Sequence, residues 1–263
     1  MISKQFEFVD TNIVFDAIYQ RKPFYDIFIK NLREKFLLKE LCVTFSTVVE
    51  AQNLATKSAE FLSKMMHESV MACDWDNLNA NEKDQIIKGL KENLEKNEEV
   101  KESNITNFIT DALNLIAQPI QNLNKKEIIL TLCPHLTYFY TRNLQEKISE
   151  HFCIPPVDGS HINYNGLLST LKTLNNECLA FKLNENQDFD ILSDLILLVN
   201  VGARYINNLT QDFDAIKFYS RDRNFIKNFN GFKAYVNNKD KKEKYVYMIN
   251  TSLDKIEITN LLD

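Results

Sequence analysis

Glycine and proline are scarce in this chain, with five of each in 263 residues. An all-β protein needs these residues for its many tight turns, so the shortage points to a chain dominated by helices. The five cysteines, Cys42, Cys73, Cys133, Cys153 and Cys178, are odd in number, scattered, and never spaced as Cys-x-x-Cys. A disulfide framework is therefore not expected, and the thiols read as small buried apolar groups. No basic segment followed by an apolar stretch opens the chain, and nowhere do eighteen apolar residues run together. Neither export nor membrane insertion is expected, which makes the cytoplasm the default location. Positive charge is in deficit as well: 31 Lys and Arg face 36 Asp and Glu, for a net charge of -5. Any binding of nucleic acid has to rest on a local basic patch, not on the overall field.

What is present fits an ordinary globular protein, with 44% hydrophobic and 25% charged residues. The length suits one core plus an insertion. Gln5 to Val9 alternates polar and apolar residues and leads into Asp10-Thr11-Asn12, the pattern of a short strand running into a capped helix. Apolar residues at helical spacing continue from Phe15 to Leu38, and Leu41 to Phe45 is a compact β-prone run. Ser46 to Glu50 opens a further helix through Leu62 towards Met66. From there to about residue 180 the composition changes. Residues 81 to 104 alternate Lys with Glu, as on a solvated helix, and Ile105 to Leu123 and Ile128 to Ile148 are further helices. Ile154 to Gly159 is the clearest loop. After Asn184 the α/β pattern returns: a buried helix over Asp190 to Tyr205, a strand over Ala215 to Tyr219, a loop entering a helix over Ser220 to Lys227, and two strands over Tyr245 to Ile249 and Lys255 to Thr259.

Several acids stand where strands end. Asp10 follows the first strand, Glu50 lies in the first turn of a helix that follows the second, and Asp222 sits in the loop after the strand at Ala215. In an open α/β sheet the carboxyl ends of the strands converge on one crevice, so acids remote in sequence can meet there. Asp190 and Asp194 lie four apart on one helix face among Ile191, Leu192, Leu195 and Ile196, an arrangement that a bound cation would relieve. Hard ions such as Mg²⁺ and Mn²⁺ take oxygen ligands of this kind together with substrate phosphate, and such a site can activate water for attack on phosphorus. Each acid also has a plain structural role open to it. Asp10 can cap a helix, Thr47 with Glu50 has the spacing of a capping box, and Asp222 lies where negative charge favours a helix start.

Taken together, Phe8-Val-Asp10-Thr-Asn12-Ile, Thr47-Val-Val-Glu50 and Phe218-Tyr-Ser-Arg-Asp222-Arg-Asn-Phe225 resemble the opening, second and closing acidic motifs of PIN domains. The resemblance covers roughly residues 5 to 55 and 185 to 230. It implies an α/β fold of three layers, α/β/α, with a mainly parallel central sheet formed by residues 1–55 and 185–263, and a large helical insertion over 56–184 acting as a cap. About ten extra residues around Tyr205 to Asp214 read as a longer loop. It also implies Mg²⁺ or Mn²⁺ held by Asp10, Glu50 and Asp222, with Asp194 or Asp190 as the third acid of the set. The activity implied is hydrolysis of phosphodiester bonds in single-stranded or structured RNA, with Asn12, Ser220, Arg221 and Arg223 as candidate substrate contacts. Many members of that family are toxins of toxin and antitoxin pairs, so a protein inhibitor and a homodimer are the protein partners to expect.

Other readings compete. Cys133-Pro-His135 and His151-Phe-Cys153 could supply zinc ligands, but their separations are tighter than the usual two to four residues, and buried thiols with loop histidines are the simpler account. Arg204, Lys227 and the run Lys239 to Lys244 offer further cations for a phosphate backbone or for a salt-bridged surface. A strand followed by aspartate also begins the haloacid-dehalogenase phosphatases, yet those need a second aspartate two residues on, where this chain has Asn12. A PIN-like scaffold without activity, binding a protein partner through the helical insertion, is the alternative that is not an enzyme.

Overall fold

The computed structural model of the chain describes residues 6–97, 106–155, 163–183, 187–201, 203–206, 209–211 and 215–262, and leaves aside the side chains of 95, 201, 203–206 and 209–211. Parts of the charged stretch before 104, the loop residues 156–159, Asn184 and the side chain of Arg204 lie outside the described residues. The chain divides into two compact units, Met1–Glu50 with Ile148–Asp263, and Ala51–Lys147.

The elements in chain order are β1 (Phe6–Val9), α1 (Thr11–Tyr19), α2 (Phe24–Leu37), β2 (Leu41–Cys42), α3 (Phe45–Met71), α4 (Ala80–Lys96), α5 (Thr106–Gln121), α6 (Cys133–His151), α7 (Tyr164–Cys178), α8 (Asp188–Val201), β3 (Ala203–Ile206), β4 (Leu209–Gln211), β5 (Ile216–Ser220), α9 (Arg223–Asn237), α10 (Lys244–Lys255) and β6 (Ile256–Asn260). The fold is α/β, with four strands in the order β2-β1-β5-β6, every neighbouring pair parallel. β3 and β4 form a separate antiparallel pair, where the sequence suggests the end of a helix reaching Tyr205 and then a longer loop; the helix instead ends at Val201.

Register explains the core of the first unit. Phe6 pairs with Ile216 and Ile216 with Ile256, while Phe8 pairs with Phe218 and Phe218 with Ile258. Successive strand residues point to opposite faces, so these rows lay one apolar face across the sheet. Leu167, Leu171 and Leu174 of α7, Leu192, Leu195 and Ile196 of α8, Phe225, Phe229 and Phe232 of α9, and Ile249 and Leu253 of α10 pack into the same core. Phe181 anchors it, with ring centroids 6.0 Å from Phe225 and 6.2 Å from Phe232. Helix α7, which the sequence places in the insertion, thus belongs to the sheet-bearing unit. The intervening rows carry Glu7, Lys217 and Glu257, and Glu7 is paired with Lys35 of α2.

Two further elements differ from the sequence reading. The helix expected over Phe15–Leu38 is two helices, because Gln20 turns left-handed at φ 51° and Pro23, which has no N–H to donate, stands at the entry to α2. Tyr245–Ile249, expected as a strand, lies within α10. Its Val246, Ile249, Asn250 and Leu253 are buried at spacings of three and four, which is one helix face.

The second unit is helical. In α4 the charged sequence buries a single stripe, Ile87, Leu90 and Leu94, and its start is fixed by a capping box between Asn79 and Glu82. α5 packs along α4. Trp75 is buried and donates its indole N–H to the Leu123 carbonyl at 2.9 Å. Among the described residues no helix is long and apolar enough to cross a membrane.

Candidate acidic site at the carboxyl edge of the sheet

Because β1, β2, β5 and β6 run parallel, their carboxyl ends share one edge. The chain leaves β1 to one side for β2 and later returns on the other side as β5. The carboxyl ends of β1 and β5 therefore flank the switch point at which open parallel sheets form a crevice. Asp10 follows β1 directly and Ser220 ends β5.

Asp10 is buried, with 7% of its surface exposed, and is held on both carboxylate oxygens. Its Oδ1 accepts from the Thr11 N–H at 2.6 Å and its Oδ2 from the Ser220 hydroxyl at 2.7 Å. The Ser220 oxygen in turn accepts the Asp222 N–H at 3.0 Å, so one buried hydroxyl ties the end of β5 to Asp10 and to the start of α9. Asp222 caps α9, its Oδ1 accepting from the N–H groups of Asn224 at 2.7 Å and Phe225 at 3.3 Å. Glu50 reaches the same region from α3, where the Thr11 hydroxyl donates to its Oε2. The entry to α3 is fixed separately: the Thr44 hydroxyl accepts the Thr47 N–H at 3.0 Å, and Asp194 accepts the Ser46 N–H at 2.8 Å.

The fourth acid is Asp188, the first residue of α8. Its carboxyl is pushed up to about 7 by burial and by the charges of Asp10 and Asp222. Glu50 is also raised to about 7, by burial first and then by Asp10, Asp188 and Asp222. Asp10 rises to about 6, since burial outweighs its hydrogen bonds from Ser220 and Thr11. Asp10, Glu50, Asp188 and Asp222 are thus within range of one another's charge, although they come from four separate segments.

Neither helix acid named from the sequence joins them. Asp194 holds the N-terminus of α3, Asp190 is exposed, and the charges of both act on Tyr164 of α7. The reason is angular. At about 100° per residue, Asp190 and Asp194 are both turned more than 100° around α8 from Asp188. Asp188 is the first residue of α8, and the polar residues before it in the sequence mark that start. The strongly apolar run beyond it makes the later acids, Asp190 and Asp194, stand out in the sequence.

The remaining expected contacts divide. Ser220 is a support for Asp10. Asn12 offers its backbone carbonyl to Arg21 at 3.2 Å. Arg221 is committed to the buried Asp16, donating to it at 2.8 and 3.3 Å, and lies over the Phe24 ring at 4.0 Å. Asp16 also takes Arg21 at 3.2 Å, so this network joins α1 to the end of β5. Arg223 is exposed at the first turn of α9, beside the cluster.

Among the described residues no group of three or more His, Cys, Asp or Glu is arranged to hold a metal ion directly. The donor chemistry nevertheless suits a hard cation: four carboxylates, with Oε1 of Glu50 and Oδ2 of Asp222 accepting no hydrogen bond among the described residues. Two carboxyls that titrate near neutrality can move a proton to and from water, or give up their protons to a divalent ion. Cys133 and His135 stand in α6 and Cys153 beyond it, and the same finding gives them no zinc geometry.

The raised carboxyls set a pH dependence. Asp10, Glu50 and Asp188 bind protons more tightly folded than unfolded, so their contribution to stability is full below about pH 4 and is lost as pH rises through about 6 to 7. Asp188→Asn should raise stability near pH 8 by about 1–3 kcal/mol and have little effect near pH 4. Urea unfolding at both pH values checks this, and equal destabilisation at both would contradict it. No family model matches the chain, and no curated protein or solved structure matches it either.

Proposed function

We propose that this chain is a PIN-like nuclease that uses Mg²⁺ or Mn²⁺ to hydrolyse phosphodiester bonds in RNA. The observation that carries the reading is that four carboxylates, after β1, on α3, at the start of α8 and in the β5–α9 turn, lie within range of one another's charge near the switch point of a parallel sheet. Their order along the chain follows that of the resembling family, and its third acid, at the start of a buried helix, falls to Asp188. A cation bound there would lower the pKa of a coordinated water and take up charge on the leaving oxygen. The chain's own part is positional. Ser220 and Thr11 fix Asp10, Thr11 orients Glu50, and the first turn of α9 fixes Asp222.

A place for the substrate strand lies beside the acids. An open hollow of about 490 Å³ is lined by Arg223, Ile226, Lys227 and Asn230 of α9 and by Asn260 at the end of β6. Arg223, Lys227 and Asn230 follow one another at spacings of four and three, which is one face of the helix. Asn260 pairs in register with Ser220, the residue that holds Asp10. Cations and amides along this face can hold the phosphates next to the one being cut, which supplies the local basic patch that a chain of net charge -5 needs.

Cleavage of single-stranded RNA with added Mn²⁺ tests the reading. Loss of a partner outside a metal's ligand shell costs 10–100-fold, so Asp10→Asn and Asp188→Asn should each lower the rate by at least about 100-fold, whereas Asp190→Asn should leave it near the parent. Equal rates in all four proteins would remove the proposal. For the hollow, binding is measured against salt in the Asp10→Asn background. Replacing Arg223 and Lys227 by alanine should reduce the slope of log affinity against log salt by about 0.7 per cation; an unchanged slope would place the strand elsewhere.

A further inference from the structure

Beyond α6 the chain becomes extended and runs beside β2. Cys153 there faces Cys42 in parallel register. The Cys153 N–H donates to the Leu41 carbonyl at 2.9 Å, and the Val43 N–H donates to the Cys153 carbonyl at 2.9 Å. Backbones paired in this way lie about 4.8 Å apart, inside the Cα span that a disulfide bridges. Neither cysteine is in a disulfide, and the two thiols are in hydrogen-bond contact with each other. Their access differs, for Cys42 is only 2% exposed while Cys153 is half-buried. The contact with Cys42 draws the Cys153 thiol below its ordinary range, burial opposes this, and the charge of Lys39 assists it.

The other thiols are placed differently. Cys73 and Cys178 turn to carbonyls of their own helical turns, Val70 at 3.8 Å and Asn175 at 3.7 Å, and burial pushes the Cys133 thiol up. Cys42 also reaches the Glu40 carbonyl, at 3.9 Å, but it and Cys153 are set apart by facing each other across paired backbones and by the charge of Lys39 beside Cys153.

The geometry points to Cys42 and Cys153 as an oxidation site, at which a hydroperoxide converts the two thiols into one intramolecular disulfide. Cys153 is the attacking sulfur, being the accessible member. Its thiolate forms an S–O bond as the O–O bond breaks, and the departing oxygen leaves, protonated, as an alcohol or water. The Cys42 sulfur then forms the S–S bond as the S–O bond of the sulfenic acid breaks, and the hydroxyl departs as water with the Cys42 proton. Two electrons pass from the sulfur pair to the peroxide. The product would tie β2, which leads into the helix carrying Glu50, to the chain beyond α6. It would also enclose all of Ala51–Lys147 in one covalent loop, and a loop of that size strongly restricts the unfolded chain.

The inference does not depend on the nuclease reading. It is tested on the full reduced chain with one equivalent of hydrogen peroxide, followed by thiol alkylation under denaturing conditions and peptide mass analysis. The expected result is a Cys42–Cys153 linked peptide, two mass units lighter than the reduced pair, with Cys73, Cys133 and Cys178 still alkylated. In Cys42→Ser the sulfenic acid at Cys153 should persist and be trapped by dimedone, and in Cys153→Ser no disulfide and no adduct should form at Cys42. Alkylation of both Cys42 and Cys153 in the treated parent, or prior oxidation of another cysteine, would overturn the assignment; the parent measurement stands whether or not either variant folds.

Discussion

Carboxylates that repel one another at a partly buried sheet edge set the terms for the rest of the site. Burial disfavours each charge and the neighbouring charges add to the penalty, so Glu50 and Asp188 titrate near neutrality where an isolated carboxyl would be fully ionised. A fold keeps such an arrangement only if the surrounding structure holds it in place. Groups perturbed in this way concentrate where a protein does chemistry, because relief of the strain comes from a ligand.

The holding structure is made of neutral hydrogen bonds and of the backbone itself. Parallel register brings Asp10 and Ser220 level at neighbouring strand ends, and the Ser220 hydroxyl links both to Asp222. The first helical turns supply N–H groups to Asp10 and Asp222 without adding a counter-charge. The nearby guanidinium of Arg221 is drawn off to Asp16, where two arginines balance one buried carboxylate. Arg221 thus joins α1 to β5, and its charge lowers the Asp10 pKa only as the smallest of the influences on it, so burial still dominates there. The exposed cations, Arg223 and Lys227, lie to one side, along α9.

Much of this was legible in the sequence, and the failures have physical causes. Alternation around Phe6 and Phe8 marks β1, Asp10 and Asp222 are readable because each follows a strand and caps the helix after it, and Glu50 because it stands near the start of the helix after β2, one turn further in than the sequence suggests. Their meeting is legible only through the rule that parallel strands share a carboxyl edge. Asp188 escapes the sequence reading because the apolar run from Ile191 to Leu198 draws attention along the helix, while the residue within range of the other acids' charge is its first. Tyr245–Ile249 fits strand alternation over five residues, and only a window extended to Leu253 reveals the helical face. The Asp16 network and the pairing of Cys42 with Cys153 join residues far apart in sequence, and no local pattern carries them.

The proposed nuclease needs one shared cation. Titration calorimetry with Mn²⁺ near pH 7 on the parent and on Asp188→Asn measures it directly. The proposal predicts heat of binding with release of protons in the parent, since raised carboxyls must deprotonate to ligate, and binding weakened at least about tenfold in Asp188→Asn. No heat in the parent, or the same affinity in both proteins, would contradict the account.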